Sequence, residues 1–436
     1  MIFKKNNKKY SIFIGLLDIC GIYGALCRGL NEIGHKSYIL HMGDEKSGYI
    51  DYQKMPVPLK FFYFTHKLIK KTITKNSNKF KILFYTYLNL LSLFLLIAWI
   101  VINIDIILLK SGEGFSTSLF DLKIFKFFKK KIVFWFHGSD ERAEYFRSGI
   151  YDKNRFDGKM LHRKTLELKK KINARTEFAD LLIGNPLSGH LHNKPILIYN
   201  IIGVPTDKLK ISHKKIQKRK KGVQILHAPS DPLLKGSKII RQQIANLKAE
   251  GLKFDYKEVT NSSNSKVLEE LDKCDIFIDE LESDVYGATA STEAAMMGKP
   301  SIVCGYAKKE MDILVPEEFR MPTNYVNPEN LGEMIKKLVT NTKFRRESGL
   351  KMKKFFENNS NAVKSAQNFI KAINGKFDHL LVSPDRIKYF WGTCANKKTR
   401  LKRIKSVIKE KGISGLCLDD KPLLEKSLLA FLSKAN

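Results

Sequence analysis

Cysteine is scarce in this chain, and its placement excludes more than its number does. The six cysteines among 436 residues (Cys20, Cys27, Cys274, Cys304, Cys394 and Cys417) lie far apart and form no C-x-x-C pair. That spacing supplies neither a disulfide framework nor a zinc site, and thiols set in apolar runs behave as small hydrophobes. A reducing cytoplasm is the expected compartment. Acids are also in deficit: 77 Lys and Arg face 44 Asp and Glu, a formal charge of +33. Such a surface attracts anions, whether nucleic acid, acidic lipid or phosphorylated substrates. The excess is largely lysine beside abundant Asn, Ile and Phe, a composition that an AT-rich genome gives without functional demand. Charge alone therefore selects no partner. A secretory leader is not evident either, because the basic residues 1–10 precede a short apolar run that meets Asp18 and Gly21 with no cleavage site. This run reads as a first strand, and export is not expected.

Long apolar runs are few. Residues 82–104 carry no charge, which is about the length that crosses a bilayer. The run nevertheless contains Tyr85, Tyr87, Asn89, Ser92 and Asn103 and passes straight into Asp105-Ile-Ile-Leu-Leu-Lys110, the pattern of a buried parallel strand. A buried or membrane-contacting helix and a true span both remain open, with the flanking α/β rhythm favouring the former.

With 43% hydrophobic residues, the chain can fill two ordinary cores. Strand-like runs recur at 11–18, 36–43, 105–110, 131–137, 180–185 and 196–200, with helix-like stretches such as 21–33 and 160–175 between them. Turn formers in Gly203-Val-Pro-Thr-Asp207 and the cations of 213–221 interrupt that rhythm. It restarts with strands at 223–229, 254–260, 275–281 and Ser301–Cys304 and helices at 235–250, 265–273 and 289–297. Helices at 328–340 and 343–374 follow. Alternation of this kind predicts α/β architecture with two Rossmann-like doubly wound domains facing across a cleft. The expected divisions are an acceptor domain over 1–208, a linker over 209–222, a ligand-binding domain over 223–375 and a basic helical extension over 376–436. No chemistry is assigned to the extension.

In such folds ligands meet the C-terminal ends of strands, where helix N-termini offer N–H groups to phosphate. One such place is His227-Ala-Pro-Ser-Asp-Pro-Leu-Leu-Lys-Gly236, in which Lys235 can pair with a diphosphate and Ser230 can donate a hydroxyl. A lysine opening a helix opposes the dipole, which favours a functional reading over an ordinary surface lysine. The other place runs from Asp275 through Tyr286-Gly287 to Glu293-Ala-Ala-Met-Met-Gly-Lys-Pro300. A carboxylate among small, closely packed residues needs donors; a ribose diol supplies two in fork geometry, and a local lysine is the alternative partner.

These elements resemble the donor-site signature of glycosyltransferase family four, the large retaining GT-B family, in its bacterial surface-polysaccharide branch. Gly21-Ile-Tyr-Gly24, Phe136-His-Gly-Ser-Asp-Glu-Arg142, Gly203-Val-Pro-Thr-Asp207 and His227-Ala-Pro-Ser with Lys235-Gly236 agree in order. The likeness covers about residues 10 to 370. It implies that Glu293 binds the ribose of a nucleotide sugar, Lys235 and Gly236 its diphosphate, and Tyr286 and Gly287 the donor loop. His137 would face the transferred sugar, the alternative being a satisfied buried histidine. Gly21 and Gly24 would form a loop approaching acceptor or phosphate. The family's paired glutamates have seven residues between them, and that spacing lands on Val285; Asp284, one position early, is the acid that could replace the first of the pair as a catalytic group, with Asp279 further back. The family's arginine before the lysine is absent, and Ser230 stands near its place. No Asp-x-Asp pair is present, consistent with a leaving diphosphate neutralised by Lys235 and helix N–H groups, with no metal or other cofactor.

The implied partners are a nucleotide sugar donor, a glycan or lipid-linked acceptor and the anionic inner face of the cytoplasmic membrane. Nucleic acid is not expected, since neither zinc spacing nor an RNA-binding aromatic motif occurs. An epimerase or phosphorylase on the same fold, and a non-catalytic polyanion-binding protein, are the competing functions.

Overall fold

The computed structural model describes residues 8–43, 55–74, 79–116, 118–147, 156–207 and 222–435. Two compact units divide the chain, Met1–Phe136 with Ala174–Ile183, and His137–Asn173 with Gly184–Asn436. The linker expected at 209–222 lies outside the described residues apart from Gly222.

The first unit is built on β1 (Ser11–Leu16), β2 (Lys36–His41), β3 (Ile106–Lys110), β4 (Lys131–Trp135) and β5 (Leu181–Gly184). They lie in the order β2-β1-β3-β4-β5, and each neighbouring pair is parallel. Burial on both faces explains the uninterrupted apolar runs: Ile106, Ile107, Leu108 and Leu109 are all fully buried. The helix Ile22–Glu32 buries Ile22, Tyr23, Ala25, Leu26 and Leu30 at helical spacing. Between β2 and β3 comes a hairpin of two helices, Val57–Thr74 and Lys79–Asn103; the first of these has no counterpart in the sequence expectations.

The second unit contains the short β6 (Leu197–Ile198) and a sheet of β7 (Gln224–His227), β8 (Asp255–Glu258), β9 (Ile276–Ile278), β10 (Ser301–Cys304) and β11 (Asn324–Val326). Its order is β11-β10-β9-β7-β8, parallel throughout. Ile225, Ile240, Ile276, Ile302, Leu331 and Ile335 centre the core on one face, and Leu226, Leu271, Phe277 and Ala294 the core on the other. Two parallel doubly wound sheets with a helical C-terminal region are thus present, as the alternating sequence predicted. The stretch expected as one helix over 343–374 is interrupted: Thr342–Phe355 gives way to a wider turn at Phe356–Ser360, and Asn361 then caps Ala362–Ile373 through Lys364 N–H.

Residues 376–435 are an integral layer of this unit. Arg403 on the helix Lys397–Lys411 donates to Glu144 O, Tyr145 Oη donates to Leu416 O at 2.8 Å, and Lys169 reaches Cys417 O at 2.8 Å and Asp420 at 2.7 Å. Two buried arginines, Arg400 and Arg403, each donate to a main-chain carbonyl, and Arg400 also lies 3.5 Å from the Glu282 carboxylate.

Candidate functional site

The turn after β7 starts from a buried histidine. His227 is fully buried, its Nδ1 lies 2.9 Å from Ile278 O and its Nε2 2.8 Å from Ser237 Oγ. A carbonyl only accepts, so Nδ1 carries the proton and Nε2 accepts from the serine hydroxyl. Burial holds the ring's pKa down, only partly offset by the Ile278 bond. His227 is therefore a neutral brace that fixes Ser237, the first residue of the helix Ser237–Ala249. Gly236 is that helix's N-cap at φ 71°, and a Cβ there would stand 2.8 Å from the Leu281 side chain. No side chain caps this N-terminus; Ser237 N–H donates to Pro232 O at 2.9 Å and Ile239 N–H to Gly236 O at 3.0 Å, and without an acid at this end the positive pole of the helix dipole is left for an anion. Ser230 lies exposed on the preceding turn.

Lys235 precedes the cap and turns back to the acidic loop that follows β9. Its ammonium pairs with Glu280 and lies 3.5 Å from Asp279 Oδ1. Burial on its own would lower the lysine's pKa, but Glu280 and then Asp279 outweigh it and the group is raised, hence cationic. The two acids are themselves braced: Asp279 accepts from Ser291 Oγ at 2.6 Å and Ala288 N at 3.3 Å, and Glu280 from Ser283 Oγ at 2.6 Å. Glu280, Ser283 and Ser291 were not singled out in the sequence; adjacent acids directly after a buried strand were the available signal.

Glu293 sits on the helix Thr289–Met296 and is 6% exposed. One carboxylate oxygen accepts from Asn264 Nδ2 at 2.9 Å, and among the described residues that is its side-chain partner. The local lysine weighed as an alternative does not pair with it among the described residues. Burial raises the Glu293 pKa, Asn264 works against the rise, and the charge on Asp279 adds to it. Among the described residues no hydrogen bond reaches the other oxygen of Glu293, which leaves that oxygen for a further donor. The helix can lie this close to the loop because Gly287 has no side chain; a Cβ would come within 2.7 Å of Ser291 Cβ and 3.2 Å of Met321 Sδ. Tyr286 faces elsewhere, its hydroxyl donating to Asp312 at 2.6 Å.

The two residues expected to be catalytic are linked through a third. His137 is half-buried just past β4, its N–H bonded to Asp140 Oδ1 at 2.8 Å. The same loop turns at Gly138, φ +88°, where Arg142 N donates back to Gly138 O at 3.0 Å. Arg142 then pairs with Asp284, and both side chains are about 5% exposed. Asp284 is thus held in a buried ion pair, and Asp279 and Glu280 are the acids grouped with Lys235. Arg142 was visible only as the end of a motif. Its neighbour Glu141, fully buried, accepts from Ser188 Oγ at 2.6 Å, Asn185 N at 3.1 Å and His192 Nε2 at 2.9 Å, which anchors the loop from below. The C-terminal layer braces the acidic loop from another side: the main-chain carbonyl of Glu282, a residue at φ +57°, accepts from Thr393 Oγ1 at 2.9 Å and Cys394 N at 3.0 Å.

Gly21 and Gly24 belong to the first unit and form a different kind of end. Gly21 caps the helix Ile22–Glu32 at φ 75°, but Asp18 accepts from Tyr23 N at 2.9 Å and Gly24 N at 3.2 Å. The protein's own carboxylate fills this anion seat. Burial raises the Asp18 pKa against those two bonds. Among the described residues no group of three His, Cys, Asp or Glu is arranged to hold a metal ion.

No family profile and no curated protein matches the sequence. Solved structures match at low identity. A glycosyltransferase from Rickettsia africae shares 12% identity over 84% of this chain and 98% of its own, with a TM-score of 0.49. HepE of Anabaena, in complex with UDP and glucose, shares 11% over 84% and 100%, TM-score 0.45. The glycosyltransferase SnogD from Streptomyces nogalater shares 13% over 84% and 99%, TM-score 0.40. At these values the likenesses carry no information about residue roles or reaction.

Proposed function

We propose that the chain is a glycosyltransferase of the GT-B type that moves a sugar from a nucleotide diphosphate sugar to a glycan or lipid-linked glycan acceptor. Glu293 carries the reading: it is a buried carboxylate with, among the described residues, one neutral donor and no cationic partner, an environment that a ribose diol would complete with two hydrogen bonds. The uncapped N-terminus of Ser237–Ala249, with Lys235 beside it, would receive the diphosphate, whose negative charge competes with Glu280 for the ammonium. In the reaction the bond between the anomeric carbon and the diphosphate oxygen breaks and the acceptor hydroxyl forms the new one. Its proton passes to the departing diphosphate, which the positive end of that helix and Lys235 stabilise without a metal. His137 would face the sugar. Retention, a hexosyl donor and a place in surface-polysaccharide synthesis are parts of the proposal that rest on the family resemblance.

A thermal-shift panel of uridine, guanosine, adenosine and cytidine diphosphate sugars tests the reading, since a bound donor stabilises the fold by mass action. One nucleotide should raise the melting temperature of the wild type and leave Glu293→Ala unmoved. A shift equal in both would reject the site. Product analysis without acceptor separates the alternatives, because an epimerase converts its nucleotide sugar alone and a transferase does not.

A further inference from the structure

The helical hairpin Val57–Thr74 and Lys79–Asn103 takes no part in the site described above. Its inner face is ordinary core: Ser92, Leu93, Leu96, Ile97 and Ile100 are buried, and Thr65 shares a 2.7 Å hydroxyl hydrogen bond with Ser92. The outer face reverses the usual rule. Phe80, Leu83, Phe84, Tyr87, Leu91 and Phe94 recur at three- and four-residue spacing, all between 45% and 81% exposed, and Ile102 extends the row. From residue 80 to 102 this stripe is about 33 Å long. A helix whose outer face meets only water carries polar residues there, and a contiguous exposed apolar row marks an interaction surface. Phe94 also touches Phe120, ring centroids 5.9 Å apart, which joins the stripe to the helix Phe120–Phe127, where Phe127 and Phe128 stand exposed beside Lys123 and Lys129.

Charge identifies the occupant. Residues 57–104 contain no Asp or Glu, while Lys60, Lys67, Lys70, Lys71, Lys79 and Lys81 are all exposed. A second copy docking on this face by two-fold symmetry would bring those cations together with no hairpin acid between them. Crossing the bilayer would strip the inner face from its core. The helix also passes directly into β3, where Asp105 Oδ2 accepts from Ser11 N at 2.8 Å and ties its end to the sheet. An anionic bilayer surface suits both features, with the apolar row in the acyl boundary and the ammonium groups at lipid phosphates. We propose that the hairpin's outer face seats the protein on anionic membrane with the Lys79–Asn103 helix lying in the plane of the surface. The proposal stands apart from the transferase reading.

Flotation of the full chain with phosphatidylcholine vesicles, with and without phosphatidylglycerol, tests it. The wild type should float with the anionic vesicles, and the triple variant Leu83→Gln, Tyr87→Gln, Leu91→Gln should lose at least about tenfold in partition while melting as the wild type does. Depth is read from Phe84→Trp and Phe94→Trp with brominated acyl chains: a helix in the plane gives equal quenching, whereas a crossing helix separates the two by about 15 Å. A wild type that stays in solution, a triple variant that floats normally, or unequal quenching overturns the proposal. So does a concentration-dependent dimer that the triple variant abolishes, which would make the stripe a contact between copies. The nucleotide-induced melting shift is a separate readout, unmoved by these substitutions.

Discussion

The two units begin alike and end differently at one point. Each has a central strand followed by a glycine in left-handed conformation that caps the next helix, Gly21 at φ 75° and Gly236 at φ 71°. In the first, Asp18 occupies the N–H groups of Tyr23 and Gly24; in the second, no side chain caps the helix and Lys235 stands beside it. Similar capping geometry is therefore met by a carboxylate in one unit and, in the other, by main-chain carbonyls at Ser237 and Ile239 with no acid at the helix end. The difference in charge at these ends is a single carboxylate, and the diphosphate site proposed above lies at the end that lacks it.

The contrast can be broken from the second unit's foundation first. Arg142→Ala leaves Asp284 buried without its cation, which should cost about 3–5 kcal/mol of stability, seen as a large fall in denaturation midpoint; Arg142→Ala with Asp284→Asn should recover part of it. Glu293→Ala removes charge-assisted hydrogen bonds of about 1.5–3 kcal/mol each, so calorimetric titration with the responsive nucleotide should show affinity falling by at least about tenfold. Gly236→Ala places a Cβ against Leu281 in a left-handed conformation, at a cost of about 1–2 kcal/mol, and should weaken nucleotide binding as well. Asp18→Ala should cost about 0.5–2 kcal/mol, as lost helix caps do, while giving the first unit an anion seat: phosphate should then stabilise the variant more than the wild type, and equal stabilisation would sink the comparison.

The smallest effect is in pH. Burial holds the Glu293 carboxyl above its ordinary value, so nucleotide binding should weaken as pH falls through that raised value, and Glu293→Gln should flatten the dependence. The sign for folding is opposite. A carboxyl raised in the folded state stabilises the fold while protonated, and that contribution is lost as pH rises through its folded pKa. Glu293→Gln should therefore melt higher than the wild type at neutral pH in the absence of ligand, a stability given up for binding.

Much of the architecture was legible because buried parallel strands must be apolar on both faces, as Ile106 to Leu109 and Ile276 to Ile278 are. Helix ends were legible where glycine marked them, at Gly34, Gly251 and Gly298, all at positive φ. Glu293 stood out as a carboxylate among alanines and methionines. Its partner did not, because Asn264 lies 29 residues away and nothing in its local sequence signals a contact. The Arg142–Asp284 pair spans 142 residues and Thr393 to Glu282 spans 111; period and capping rules reach only a few residues along the chain.

By itself the sequence determined the α/β alternation, the doubly wound pattern in two units and the residue types offered at the strand ends, since periodicity and turn chemistry are local. Tertiary structure alone decided which of those residues stand in the open. Asp18 fills one helix end, Arg142 takes Asp284, Tyr286 turns to Asp312, and the extension after residue 375 braces the acidic loop. Accessibility of a charge depends on what the fold brings against it from distant positions, and desolvation makes each such meeting decisive.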